Sequence, residues 1–127
     1  MRLKILVVED DDSFRTVLNI SLQRVGHEVM LAENEVKAFQ LNQDNDFDIV
    51  ISDVEIDQAD GLNLINKIKD INPDTITIII SSYLPFEQHL ENKRIRPHYF
   101  LYKPFQFQQL IKILREIEAE KNGKNTI

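Results

Sequence analysis

The chain has 127 residues, enough for one hydrophobic core and too few for two ordinary domains of roughly 100 residues each. With 43% hydrophobic and 28% charged residues it is globular in composition, and the absence of cysteine excludes disulfides, thiolate metal sites and cysteine nucleophiles. A net charge of -6 disfavours polyanionic partners, so neither direct nucleic-acid binding nor adhesion to a membrane surface is expected.

Residues 1–4 lead straight into a short apolar run, with no signal-peptide core and no stretch of membrane-spanning length, so the expected setting is cytoplasmic. Residues 3–8, 48–51 and 76–80 are Ile- and Val-rich runs bounded by polar residues, as strands buried on both faces require. Residues 27–32 form a weaker strand, and 99–102 an aromatic one before Pro104. Phe14, Val17, Leu18, Leu22 and Val25 predict an amphipathic helix closed by Gly26, and Asn34 caps a second running to about Asn45. Leu62, Leu64, Ile65, Ile68 and Ile71 predict a third helix closed by Asn72-Pro73, and a fourth falls around residues 86–93. Phe107, Leu110, Ile111, Leu114 and Ile117 predict the fifth. Strands alternating with helices give an α/β fold with a doubly wound parallel sheet, because parallel neighbours need helical crossovers. The domain is expected over residues 1–120, with 121–127, which lack periodicity, as a tail or linker remnant.

Glu9, Asp10, Asp11 and Asp12 follow the first strand and Asp53 ends the third, so chain continuity puts acids at the carboxyl edge of two central strands, where open α/β sheets bind ligands. Two carboxylates about 6 Å apart repel by roughly 3 kcal/mol at an effective dielectric near 20, and a cation is the simplest compensation. With only oxygen ligands on offer, a hard ion such as Mg²⁺ is favoured. By itself the acidic run reads as a solvated helix start. Asp53 shifts the weight, because no helix dipole explains a charge at the end of Ile49-Val50-Ile51.

Ile5-Leu6-Val7-Val8-Glu9-Asp10-Asp11, Asp48-Ile49-Val50-Ile51-Ser52-Asp53, Asp60-Gly61, Ile79-Ile80-Ser81-Ser82 and Phe100-Leu101-Tyr102-Lys103-Pro104-Phe105 resemble the receiver domains of two-component response regulators. The resemblance runs from Leu3 to about Ile117 and implies a flavodoxin-like fold with strand order 2-1-3-4-5 and five helices. It implies that Glu9 and Asp10 hold Mg²⁺ together with Asp53 and the backbone carbonyl of Glu55. Asp53 becomes the phosphoacceptor, Ser81 the hydroxyl that meets the phosphoryl group, Lys103 the catalytic ammonium, and Ser81 with Phe100 the switch pair. A cis Lys103-Pro104 bond is implied as well. The function that follows is Mg²⁺-dependent phosphorylation by a histidine kinase or phosphotransfer protein. That step would switch a face made by the fourth helix, fifth strand and fifth helix toward a downstream protein or linked output domain, and a homodimer of the phosphorylated form is compatible with it. The chain would be no enzyme beyond transfer to and from its own aspartate.

Two departures stand out. Asp57 replaces the proline usual four places after the acceptor, and Arg96-Pro97 replaces a Gly-Ala pair before the last strand. Tyr83, two places after Ser81, is expected to shield the phosphoryl group from water. Other chemistries fit less well. A calcium loop would need Gly at Gln58 and Glu at Leu64. A flavin or nucleotide site would want a phosphate-cradling loop where this chain is acidic. An aspartate-nucleophile phosphatase usually has a second Asp where Glu55 stands, and a receiver-like interaction module would not need Asp10, Asp53, Ser81 and Lys103 together. His27, His89 and His98 lack metal-ligand spacing and read as packing or surface residues.

Overall fold

The computed structural model describes residues 2–53, 55–56, 59–82 and 97–124. In chain order the elements are β1 (Lys4–Val8), α1 (Asp12–Arg24), β2 (Glu28–Ala32), α2 (Glu35–Asp44), β3 (Ile49–Asp53), β4 (Glu55–Ile56), β5 (Ala59–Asp60), α3 (Gly61–Ile71), β6 (Ile76–Ser81), β7 (Tyr99–Tyr102) and α4 (Phe107–Lys124). Five strands form one parallel sheet in the order β2-β1-β3-β6-β7, which is the expected 2-1-3-4-5 flavodoxin-like order. The expected helix around residues 86–93 lies outside the described residues, as do Asp57, Tyr83, His89 and Arg96.

Side chains alternate across a strand, so each central strand supplies two cores. Ile5, Val7, Ile49, Ile51, Ile78 and Ile80 face α1 and α4, where Leu18, Leu22, Leu110, Leu114 and Ile117 close over them. Leu6, Val8 and Val50 face α2 and α3, meeting Ala38, Leu64 and Ile68. This two-sided burial explains why the strands read as continuous apolar runs.

The helix ends follow their sequence signals. Asp11 caps α1 by accepting from the N–H groups of Ser13 and Phe14 at 3.0 and 3.2 Å, and Asn34 caps α2 through Lys37 N–H at 2.8 Å. At the other end of α1, Gly26 takes φ 97°, and the N–H groups of Gly26 and His27 reach back to the carbonyls of Gln23 and Leu22. A positive φ at that position is what glycine supplies without strain.

Three expectations are corrected. Val17 and Val25 are not part of the buried stripe of α1: they are 58% and 46% exposed, because Phe14, Leu18 and Leu22, spaced by four, already fill the contact. Ile71, at the last residue of α3, is 51% exposed. The final helix continues through residues 121–124, where a tail without periodicity was expected. Lys121 Nζ lies 3.3 Å from Asp48 Oδ1, tying that last stretch to the start of β3. The pair β4–β5, a short antiparallel hairpin after Asp53, was not foreseen. Among the described residues no helix is long and apolar enough to cross a membrane.

Candidate functional site

The sheet topology brings the carboxyl ends of β1, β3, β6 and β7 side by side. Asp53 ends β3, opposite Ile80 in register, and Ser81 follows Ile80 as the buried last residue of β6. Glu9 follows β1, and Lys103 follows β7. The Lys103 N–H donates to the Ser81 carbonyl at 2.7 Å, so the lysine emerges beside the strand that neighbours Asp53.

The ammonium of Lys103 joins the two acids: it donates to Asp53 Oδ2 at 2.6 Å and to Glu9 Oε1 at 3.0 Å. Such charge-assisted bonds are short and strong when partly buried. Burial pulls the Lys103 ammonium down, but the hydrogen bonds to Asp53 and Glu9 outweigh it and hold the group above its usual value, keeping it charged.

Glu9 is 2% exposed and fixed at every polar atom that the backbone and site can reach. Its N–H donates to Ala32 O at 3.0 Å, its carbonyl accepts from Arg15 Nη1 at 2.7 Å, and its second carboxylate oxygen accepts from Asp11 N–H at 3.3 Å. Arg15 also pairs with Asp12. Burial, and then the charge of Asp53, push the Glu9 carboxyl up against the opposing hydrogen bond from Lys103. Glu9 and Asp53 thus share one ammonium, that of Lys103.

Asp10 lies one residue beyond Glu9 and is exposed. Glu55 opens β4 two residues after Asp53. Phe100 sits half-buried on β7, in register with Ile79. The Lys103-Pro104 bond is cis, as expected. The structure thus brings Glu9, Asp53 and Lys103 into direct contact and sets Ser81 on the adjoining strand.

Two residues at the site escaped the sequence reading. Arg15 holds the acidic loop, and its only advance signal was the i,i+3 spacing from Asp12 on a helix. Phe14, read as core, has its ring centroid 4.5 Å from Lys103 Nζ.

Among the described residues no three His, Cys, Asp or Glu side chains converge as a preformed metal cage. An ion that takes one or two carboxylates and keeps its waters does not need one. An all-oxygen donor set fits a hard divalent cation.

A family model described as the response regulator receiver domain matches residues 5–115. The DNA-binding transcriptional regulator NtrC of Bradyrhizobium sp. (strain RP501 Parasponia) is 33% identical over 116 residues, covering 91% of this chain and 24% of that protein. The transcriptional regulatory protein ZraR of Klebsiella oxytoca is 32% identical over 115 residues, covering 91% and 26%. The chain thus spans about a quarter of the length of these relatives. Among solved structures, the chemotaxis response regulator CheY4 of Vibrio cholerae superposes with a TM-score of 0.83 at 27% identity, covering 92% of this chain and 99% of that one. TrrA of Thermotoga maritima, solved in complex with Mg(2+)-BeF, gives a TM-score of 0.78 at 26% identity, with 91% and 98% covered.

Proposed function

The chain belongs to the response regulator receiver domain family of two-component systems, and on that premise we propose that Asp53 is its phosphoacceptor. The observation that carries this reading is the Lys103 ammonium bonded at once to Asp53 and the buried Glu9. It sets a nucleophilic carboxylate beside a fixed positive charge at the ligand edge of the sheet.

In this reading an Asp53 carboxylate oxygen attacks the phosphorus of a phosphorylated histidine or a small acyl phosphate. The new O–P bond forms as the bond to the donor breaks, the leaving group keeps its electron pair, and an acyl phosphate remains on Asp53. Positioning and charge neutralisation dominate such transfers. Lys103 donates to the arriving phosphoryl oxygens, and the Ser81 hydroxyl supplies a further hydrogen bond. Glu9, Asp10, Asp53 and the backbone carbonyl of Glu55 would hold Mg²⁺, which when bound neutralises charge developing on the phosphoryl oxygens. TrrA, solved in complex with Mg(2+)-BeF, supports that choice of ion.

The donor is a histidine kinase or phosphotransfer protein, and catalysis is confined to the domain's own aspartate. Ser81 and Phe100 carry the change to the face of β7 and α4, toward a downstream protein or an output domain linked beyond the receiver body of residues 1–120. The transcriptional regulators NtrC and ZraR, of which this chain matches about a quarter, support the linked arrangement.

Intact-mass measurement with acetyl phosphate tests the acceptor. Wild type should gain one phosphoryl group with Mg²⁺ and none with EDTA, and Asp53→Asn should gain none. Equal labelling of the two proteins would remove the assignment, and no labelling of wild type by any donor would favour a phosphorylation-independent interaction module.

A further inference from the structure

Lys103 has a neighbour that is not an acid. The ring of Phe14 lies with its centroid 4.5 Å from Nζ, on the same ammonium that reaches Glu9 at 3.0 Å and Asp53 at 2.6 Å. Phe14 stands in the first turn of α1, its N–H held by the Asp11 cap, and it projects from the helix that covers the Ile51 and Ile80 face of the sheet. Its ring meets Phe105 edge-on, 6.1 Å between centroids at 86°. Phe105 comes two residues after Lys103, so the segment that carries the ammonium also braces the ring that receives it.

The two carboxylates cannot hold Lys103 steadily through phosphoryl transfer. Asp53 is consumed as it becomes an acyl phosphate, and Glu9 is shared with the proposed cation. The attraction of an aromatic face for a cation depends on neither. It also occupies no oxygen of the site, so the N–H donors of the ammonium stay available to the arriving phosphoryl oxygens. We infer that Phe14 is a positioning residue for phosphoryl transfer, its ring face seating the Lys103 ammonium beside Asp53 before and after the carboxylate is spent.

This inference rests on Asp53 being the acceptor, and the experiment separates the two. Phe14 is replaced in the full chain by phenylalanines carrying one, two or three ring fluorines, which drain charge from the ring face at nearly constant size, and by Phe14→Leu. Phosphorylation by acetyl phosphate is resolved into a maximal rate and a half-saturating donor concentration. The order of the Lys103 ε-methylene is followed by NMR in metal-free protein, and thermal melts verify folding.

The maximal rate should fall stepwise with fluorination to about one fifth, as expected for a partly exposed cation–π contact, with Phe14→Leu at least as low and the half-saturating concentration unchanged. The ε-methylene should loosen along the same series without metal or donor. A flat rate across the fluorinated proteins overturns the inference, as does unchanged ε-methylene order. If wild type takes no label at all, the acceptor assignment fails instead, and the metal-free NMR series still decides whether Phe14 seats Lys103.

Discussion

His27 stands at the end of β1 opposite Glu9. Its Nδ1 accepts the Leu3 N–H at 3.1 Å and its Nε2 lies 3.4 Å from Glu118 Oε1, while His98 repeats the arrangement with Thr77 N–H at 3.1 Å. Burial pushes both imidazoles below the ordinary 6.5, although Glu118 and Glu120 pull the other way. The unfolded chain then takes up protons at a higher pH than the folded one, so stability is full above about 6.5 and falls as pH drops toward the depressed folded value. We expect the melting temperature to fall between pH 7 and pH 5, and to fall less in His27→Asn, whose Oδ1 can take the Leu3 N–H without titrating. Identical pH slopes in calorimetry would show that His27 is not the group responsible. Sequence assigned these histidines to packing or surface roles, and His27 packs. The part played by Phe14 was hidden because its partner is set by tertiary structure: Lys103 lies far along the chain, and no local pattern announces which helix residue meets it.

At the scale of elements, the five sheet strands were legible because burial on both faces leaves an unbroken apolar run, and the helices because their caps and apolar spacing agree. Periodicity was weaker at deciding which apolar residues lie inside. On α1 both Val17 and Leu22 fit a helical stripe, yet one is 58% exposed and the other fully buried. Leu22→Ala should therefore cost about 2–5 kcal/mol, and Val17→Ala should stay within about 0.5 kcal/mol, as urea titrations can measure. Comparable losses would mean that α1 does not sit on the sheet as described. The β4–β5 hairpin could not be read in advance, since two-residue strands carry too little pattern, and Asp57 stands where a proline would have marked a turn. The last helix outran its expected end because residues 121–124 carry no apolar periodicity, yet the helix continues through them.

For the whole molecule, the order of the sheet and the convergence of Glu9, Asp53 and Lys103 followed from strand continuity and the receiver resemblance. What sequence could not supply was how the acids and the lysine pair. The structure gives one ammonium to two contacting carboxylates, which predicts a fold that a divalent cation reinforces. Mg²⁺ at 100 times its dissociation constant, bound to the native state alone, adds about 2.7 kcal/mol. Melts in rising Mg²⁺ should shift upward in wild type, revert with EDTA and shift less in Asp53→Asn. A shift of equal size in both proteins would place the ion elsewhere.

The bond between Lys103 and Asp53 closes a loop of 50 residues, and that between Lys103 and Glu9 one of 94. A ribosome makes the two acids early and their counter-charge late, and domains fold from the amino end as they emerge. A nascent chain halted before β7 carries the proposed acceptor and the acidic loop without the lysine that bonds to them. On the proposed reading, competence for phosphoryl transfer waits until nearly the whole domain has been synthesised.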